Sequence, residues 1–188
     1  MSGRNTVVHS MHDLGLAAWF GGGLMGVVGL NGAASKAKDP TERLRLSSLG
    51  WGKWAPVQFT AIAVHGIGGI GLILGNKGRL ASQGEARSNT AIKLVFTGLA
   101  GASTLAAAIA GSGIAKHADE GAKSVTEPSE NASDELKAAQ RNEKWLQWSI
   151  PLLTGVLLVL GAQQDEQYRP VAGFGGSLGK KVMGLVGR

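Results

Sequence analysis

The chain has 188 residues, of which 44% are hydrophobic and 17% charged, with 30 glycines, no cysteine and a formal net charge of +6. The length suits one domain, and the lack of cysteine excludes disulfides, thiolate catalysis, iron–sulfur clusters and cysteine zinc sites. Average soluble chains carry about 25% charged residues and about 7% glycine, so this chain is poor in charge and rich in glycine.

Four long stretches of the sequence contain no charged side chain. They cover residues 14–35, 54–76, 94–115 and 145–164. A helix of about 20 mostly apolar residues crosses the core of a bilayer, so each stretch is long enough to span it. Soluble helices show a polar stripe at helical spacing, and these stretches show none. The sequence therefore predicts an all-α integral membrane four-helix bundle that forms one transmembrane domain over residues 1–170.

The two ends of the chain carry further signals. The first stretch ends in small residues, as a signal peptide does, but it exceeds the roughly 7–15 apolar residues of a signal sequence, so we expect a retained helix. Residues 171–188 combine glycines with apolar and basic residues. This pattern predicts a short basic, amphipathic C-terminal tail that lies on an anionic membrane surface.

Glycines at helical spacing predict close helix packing. Small residues allow helix backbones to approach each other in lipid, where van der Waals contact drives association. Packing within the chain is the favoured use, because four helices need several such faces, and a partner outside the chain is the alternative. The candidate packing residues are Gly15, Gly22, Gly26 and Gly29 in the first stretch, Gly71 and Gly75 in the second, and Gly98 and Gly111 in the third.

Two pairs of tryptophans stand at the start of the second and fourth stretches. Trp51 and Trp54 form the first pair, and Trp145 and Trp148 the second. Tryptophan favours the headgroup level, and alternating helices would place both pairs at one membrane face. A proline follows each pair, which indicates two duplicated hairpins. The alternative is chance recurrence, because interface anchoring and proline in a first helical turn explain the same residues.

His65 is the ionisable residue nearest the middle of a predicted span. It shares a helix face with Ala61 and Gly68, so we expect it to point into a helix contact. Intramembrane ionisable residues are candidate functional groups, because their burial is costly. The alternative is a neutral histidine bonded to a backbone carbonyl or to a hydroxyl such as that of Thr104 or Thr154.

A haem held between two histidines of the chain would need a second histidine at the depth of His65. His12 lies about ten residues, or ~15 Å, from the middle of the first stretch. We therefore expect no histidine at that level and no intramolecular bis-histidine haem. The sequence predicts no catalytic residue, no metal ligand and no cofactor of its own, and it leaves open a haem or quinone shared with another subunit.

The longest polar segment, residues 117–144, carries mixed charges. Its first half is predicted to be a flexible, solvated loop, with docking of a partner domain as the alternative. Ser133 is the predicted N-cap of a helix that runs toward Trp145, since Asp134 and Glu135 suit the positive end of a helix.

The sparse polar chemistry predicts a non-catalytic accessory or scaffold subunit of a larger membrane complex. The alternatives are a small transporter or channel with His65 in its pathway, and a redox or quinone-linked subunit. The expected partners are the lipid bilayer and other membrane subunits or further copies of the chain, and not nucleic acid.

The expected location is a bacterial plasma membrane. Lysine and arginine are almost evenly divided between the two sides, so the positive-inside rule does not decide the orientation. Both termini inside is favoured, because the short 77–93 connection and the tail are basic with few acids.

Overall fold

The computed structural model describes residues 6–168, with side chains up to residue 163, and its helices confirm the all-α class. The predicted tail at 171–188 lies outside the described residues. A two-stranded antiparallel β-hairpin over residues 122–128 interrupts the helices. The elements are α1 (Thr6–Ala34), α2 (Pro40–Gly75), α3 (Lys77–Ser82), α4 (Gly84–Lys116), β1 (Ala122–Ser124), β2 (Glu127–Pro128) and α5 (Asp134–Tyr168).

Four of these helices, α1, α2, α4 and α5, are long and apolar enough to cross a membrane. They support a multi-pass membrane protein, and each covers one of the predicted stretches to within one residue of its end. The helices continue beyond those stretches. The 36 residues of α2 measure about 54 Å, whereas a bilayer core is about 30 Å thick. Part of α2 therefore projects from the membrane.

Helix α2 begins at Pro40, so Pro56 does not lie in a first helical turn, which was one alternative explanation of the recurring tryptophan and proline residues. Asp39 caps the helix, because its carboxylate accepts a hydrogen bond from the Thr41 amide at 2.8 Å, and Pro40 occupies the first turn. Pro56 and Pro151 lie inside α2 and α5. Polar residues 40–53 thus extend the helix instead of forming a loop.

Helices α1 and α2 form the first hairpin and touch backbone to backbone. A Cβ added to Gly15 would lie 2.6 Å from the carbonyl oxygen of Ala61, and one added to Gly68 would lie 2.5 Å from the backbone nitrogen of His12. Neither position has room for a side chain. Further along the same contact, Gly22 underlies the ring of Trp54.

The remaining candidate packing glycines lie in different surroundings. Gly26 underlies Trp51, Gly71 faces Val8, and Gly29 faces Met25 of its own helix. A Cβ at three further positions would meet no described atom within 4 Å beyond its own stretch of helix. These positions are Gly75, Gly98 and Gly111.

Helices α4 and α5 form the second hairpin, which packs against the first mainly through α1. An apolar cluster joins the hairpins in the membrane region. Trp19 of α1 is its largest fully buried side chain. The cluster consists of Leu16, Trp19, Ala100, Ile150 and Leu157.

A second apolar cluster lies outside the membrane region, where the start of α2, the end of α4 and the start of α5 meet residues 117–133. We call this unit the head. It corrects the prediction of a flexible loop, because Ala118, Ala122 and Ala132 of that segment are buried against Leu44 and Leu136. The burial went unpredicted since alanines scattered through a polar segment have no periodic pattern.

Polar contacts fix the head to both hairpins. The Arg43 guanidinium donates to the carbonyl oxygens of Ala37, Ala122 and Lys123 at 2.8, 3.0 and 2.9 Å. The predicted N-cap is confirmed, because α5 begins at Asp134 and the Ser133 hydroxyl accepts from the Leu136 amide at 3.2 Å.

Candidate functional site

His65 and His12 form a direct pair across the first hairpin. Their ring centroids are 4.0 Å apart and the ring planes are inclined by 22°. His65 is 3% exposed, and its ring centroid lies 6.2 Å from that of Trp19 in an edge-to-face arrangement. The glycines on either side, Gly15 and Gly68, allow the helices to approach closely enough for this stacking.

Each histidine also bonds to the backbone of the other. His65 Nδ1 lies 2.9 Å from the carbonyl oxygen of His12, and His12 Nδ1 lies 3.2 Å from that of His65. Because a carbonyl oxygen only accepts, each Nδ1 must carry a proton and donate it. Each ring therefore donates a hydrogen bond to the backbone carbonyl of the other histidine, and the two bonds hold α1 and α2 in register.

The expectation that no histidine reaches the level of His65 was wrong. It assumed that the uncharged stretches are centred at one depth. In the structure α1 begins at Thr6, and it crosses α2 so that His12 lies beside Gly68. The two rings touch directly, so a porphyrin has no room between them.

The partner of His65 is a backbone carbonyl, one of the two kinds expected, and not a threonine hydroxyl. Thr104 instead accepts a hydrogen bond from Trp19 Nε1 at 3.1 Å and donates to the Ala100 carbonyl at 2.8 Å. Thr154 donates to the carbonyl of Ile150, within its own helix, at 2.7 Å. Both threonines are thus engaged elsewhere.

A second polar site centres on Asn31, which is 7% exposed. Its amide nitrogen donates to Gln147 Oε1 at 2.7 Å, and its oxygen accepts from Ser47 Oγ at 2.8 Å and from Trp51 Nε1 at 2.9 Å. One side chain therefore links α1, α2 and α5. Asn31 follows a π-helical turn, Gly26–Leu30, a feature found frequently at functional sites.

Beside this network, a cavity of about 270 Å³ lies between the two hairpins. Helices α2, α4 and α5 form its walls, and Val125 of the head closes one side. The lining is mostly apolar, with a few polar groups that include Gln58, Gln147 and Glu143. His65 is not among the described residues that line it.

Among the described residues that line the cavity, Glu143 is the ionisable one. Its side chain is 7% exposed, and its Oε2 atom has no hydrogen-bond partner among the described residues. The neighbouring basic residues Arg141 and Lys144 are exposed. The Glu143 carboxyl thus lines a space large enough for a small molecule, and its unpartnered Oε2 atom is shielded from solvent.

The two tryptophan pairs differ in their surroundings. Trp51 bonds to Asn31, and Trp54 covers Gly22, so this pair is used in contacts of the first hairpin. Trp145 and Trp148 are 74% and 50% exposed, and they face outward. Both pairs lie near one level, because Asn31 bonds to Trp51 and to Gln147. The duplication of the hairpins stays a prediction.

The sequence contains a signal for the cavity. Asn31, Gln58 and Gln147 are amides within the apolar stretches, and a search for charged residues alone passes over them. Glu143 lies one helical turn before Gln147, so the two share a face. Polar uncharged residues within a span, read together with the nearest acid, mark this site.

No family model, curated protein or solved structure matches this chain. The fold and the cavity define a class, a multi-pass membrane protein with a mostly apolar cavity between two helical hairpins. We therefore infer its function from the arrangement of its own side chains.

Proposed function

We propose that this chain is a membrane protein that binds a small molecule in the cavity between its hairpins and performs no catalysis. The observation that carries the proposal is Glu143, a buried carboxyl with an unpartnered oxygen at an apolar cavity. Mostly apolar pockets with a few convergent polar groups are the usual form of a ligand site. Burying a carboxyl without a hydrogen-bond partner destabilises the fold, which favours a functional reason for its presence.

A pair of matched variants tests this function. Ala55 lines the cavity, so Ala55→Phe should fill it, whereas Ala63 is exposed on the same helix and Ala63→Phe should leave the cavity open. We expect saturable binding of a small aromatic amine or alcohol to the wild type and to Ala63→Phe, measured by scintillation proximity with tritiated probe, and none to Ala55→Phe. Equal binding to all three proteins would place the probe outside the cavity.

A second candidate function is that of an accessory subunit or a homo-oligomer. Gly98 and Gly101 on α4 meet no described atom outside their own stretch of helix, and exposed Leu94 and Leu105 lie on the same helix. Small residues at a lipid-exposed surface allow another helix to pack closely. This role assigns the exposed face of α4 that carries Gly98 and Gly101 to a partner helix.

Blue-native electrophoresis of gentle detergent extracts tests the second candidate. We expect the wild type to migrate as part of a larger complex, and Gly98→Leu to shift it toward the mass of the single chain. Ala63→Leu, on an exposed face of α2, serves as the matched control. A wild type that migrates as a single chain would rule this function out.

For location, we propose a bacterial plasma membrane with the head outside and the α3 side inside. The basic residues Lys77, Arg79 and Arg87 on the α3 side support this orientation. The chain has no cysteine, so single-cysteine variants report the topology cleanly. An impermeant maleimide should label Glu130→Cys and not Ser82→Cys in intact cells, and the reverse labelling would invert the orientation.

A further inference from the structure

We propose that the cavity selects an amphipathic organic cation, with the Glu143 carboxylate as counter-ion to an ammonium group. This inference rests on the proposed binding function and names its ligand class. The ligand would combine one positively charged hydrogen-bond donor with a small apolar body.

Charge is the first argument for a cation. Among the described residues that line the cavity, Glu143 is ionisable and none is Lys, Arg or His. The ion pairs found in the described chain are formed by other residues, in the head. Glu143 therefore has no built-in counter-ion, and an anionic ligand would meet repulsion with nothing to offset it.

Hydrogen bonding is the second argument. The side-chain oxygen of Asn31 accepts from Ser47 and Trp51, and its nitrogen donates to the side-chain oxygen of Gln147. These nearby polar groups therefore already have hydrogen-bond partners. The carboxyl of Glu143, which lines the cavity, only accepts hydrogen bonds when it is ionised. An ammonium group complements it, because it supplies both a donor and a positive charge.

The walls supply the third argument. Trp51 and Phe59 line the cavity, and aromatic faces attract cations through their quadrupole. Ala55, Ala107 and Ile150 add apolar surface for the body of the ligand. This combination suits a cation that carries a hydrophobic group better than it suits a bare metal ion, which needs several oxygen ligands.

The volume limits the size of the ligand. An engineered cavity of about 150 Å³ holds benzene, and this cavity measures about 270 Å³. The space therefore suits a single aromatic ring with a short ammonium-bearing chain. Because α2 and α4 contact each other far less than the helices within each hairpin, the cavity lies where the hairpins separate most easily.

The test compares two probes that differ in charge and share a framework. Tritiated 2-phenylethylamine is an ammonium ion at neutral pH, and tritiated 2-phenylethanol is its neutral counterpart. On the purified full chain in detergent, we expect saturable binding of the amine that is at least tenfold tighter than that of the alcohol. Glu143→Gln should weaken amine binding at least tenfold and leave alcohol binding unchanged.

The outcomes separate the two proposals. If the alcohol binds as tightly as the amine and Ala55→Phe removes both, the cavity binds ligands but the cation class is wrong. If neither probe binds the wild type, the binding function itself is wrong. The comparison of amine with alcohol is made on the wild type, so it decides the ligand class even if Glu143→Gln fails to fold.

Discussion

The histidine pair and the cavity are two places where this protein buries an ionisable side chain, and they differ in how those groups are satisfied. At the pair, each Nδ1 donates to a carbonyl and the rings stack. At the cavity, Glu143 keeps a free oxygen. Burial alone therefore does not mark a functional group. The hydrogen-bond inventory separates a side chain that holds helices together from one that is available to a ligand.

The comparison predicts its largest effect at His65. His65→Ala removes the stacking and the bond to the His12 carbonyl and leaves a cavity, so we expect a loss of about 3 kcal/mol in the free energy of unfolding. Ile67→Ala, at an exposed position on the same helix, should change it by less than about 0.5 kcal/mol. Equal losses in reversible detergent unfolding would mean that the pair is not structural.

The close helix crossing predicts the next effect. A Cβ at Gly68 meets the backbone of His12, so Gly68→Ala should force the helices apart and destabilise the protein by about 2 kcal/mol. Gly66 on the same helix faces open space, and Gly66→Ala should be neutral or slightly stabilising. If both variants unfold at the same denaturant concentration, the backbones do not touch at this crossing.

At Glu143 we expect a change of opposite sign in the free energy of unfolding. Glu143→Gln removes an unpaired buried acid, so the free energy of unfolding should stay unchanged or rise by up to about 1 kcal/mol, although amine binding is weakened. The same unfolding experiment measures it. A large loss of stability would show that the carboxyl holds the fold together, as the histidines do.

The head gives the smallest effect, and it depends on pH. Hydrogen bonds from the Ser133 amide and hydroxyl, at 2.6 and 2.8 Å, hold the pKa of Glu120 below its ordinary value of 4.5, and His117 adds to this. A lowered folded pKa means that this contribution is complete above pH 4.5 and is lost as the pH falls through the folded value.

Hydrogen exchange checks this prediction. Amides of residues 117–133 should lose protection as the pH falls below 4.5, after correction for the intrinsic exchange rate, while the membrane helices keep theirs. Glu120→Gln should remove that pH step, because its side chain does not titrate in this range. A step that persists in Glu120→Gln would assign it to another carboxylate of the head, such as Asp39.

The membrane helices could be predicted from the sequence because charge avoidance in lipid is a strong and local rule. The level of His12 could not, since it depends on how α1 and α2 slide past each other, which Gly15 and Gly68 decide through contact. The head escaped prediction for a related reason. Its core consists of small residues whose burial depends on partners distant in the chain, such as Leu44 for Ala122.

The site was predictable in part. His65 was expected in a helix contact and lies in one, but its ring partner was missed. Asn31, Gln58 and Gln147 could have been selected as amides within apolar stretches, whereas the free oxygen of Glu143 depends on three-dimensional packing. A sequence shows which residues are polar, but it does not show whether a polar atom has a hydrogen-bond partner.

The continuity of α2 and α5 from the membrane into the head has a mechanical consequence. Leu44 of the first hairpin and Leu136 of the second belong to the buried cluster of the head, so the two hairpins are joined there. Val125 of the same unit borders the cavity. The cluster around Trp19 joins the hairpins at a second place, and Ile114 of the head and Ile150 of that cluster both line the cavity. A molecule bound there would therefore lie against both places at which the hairpins are held together.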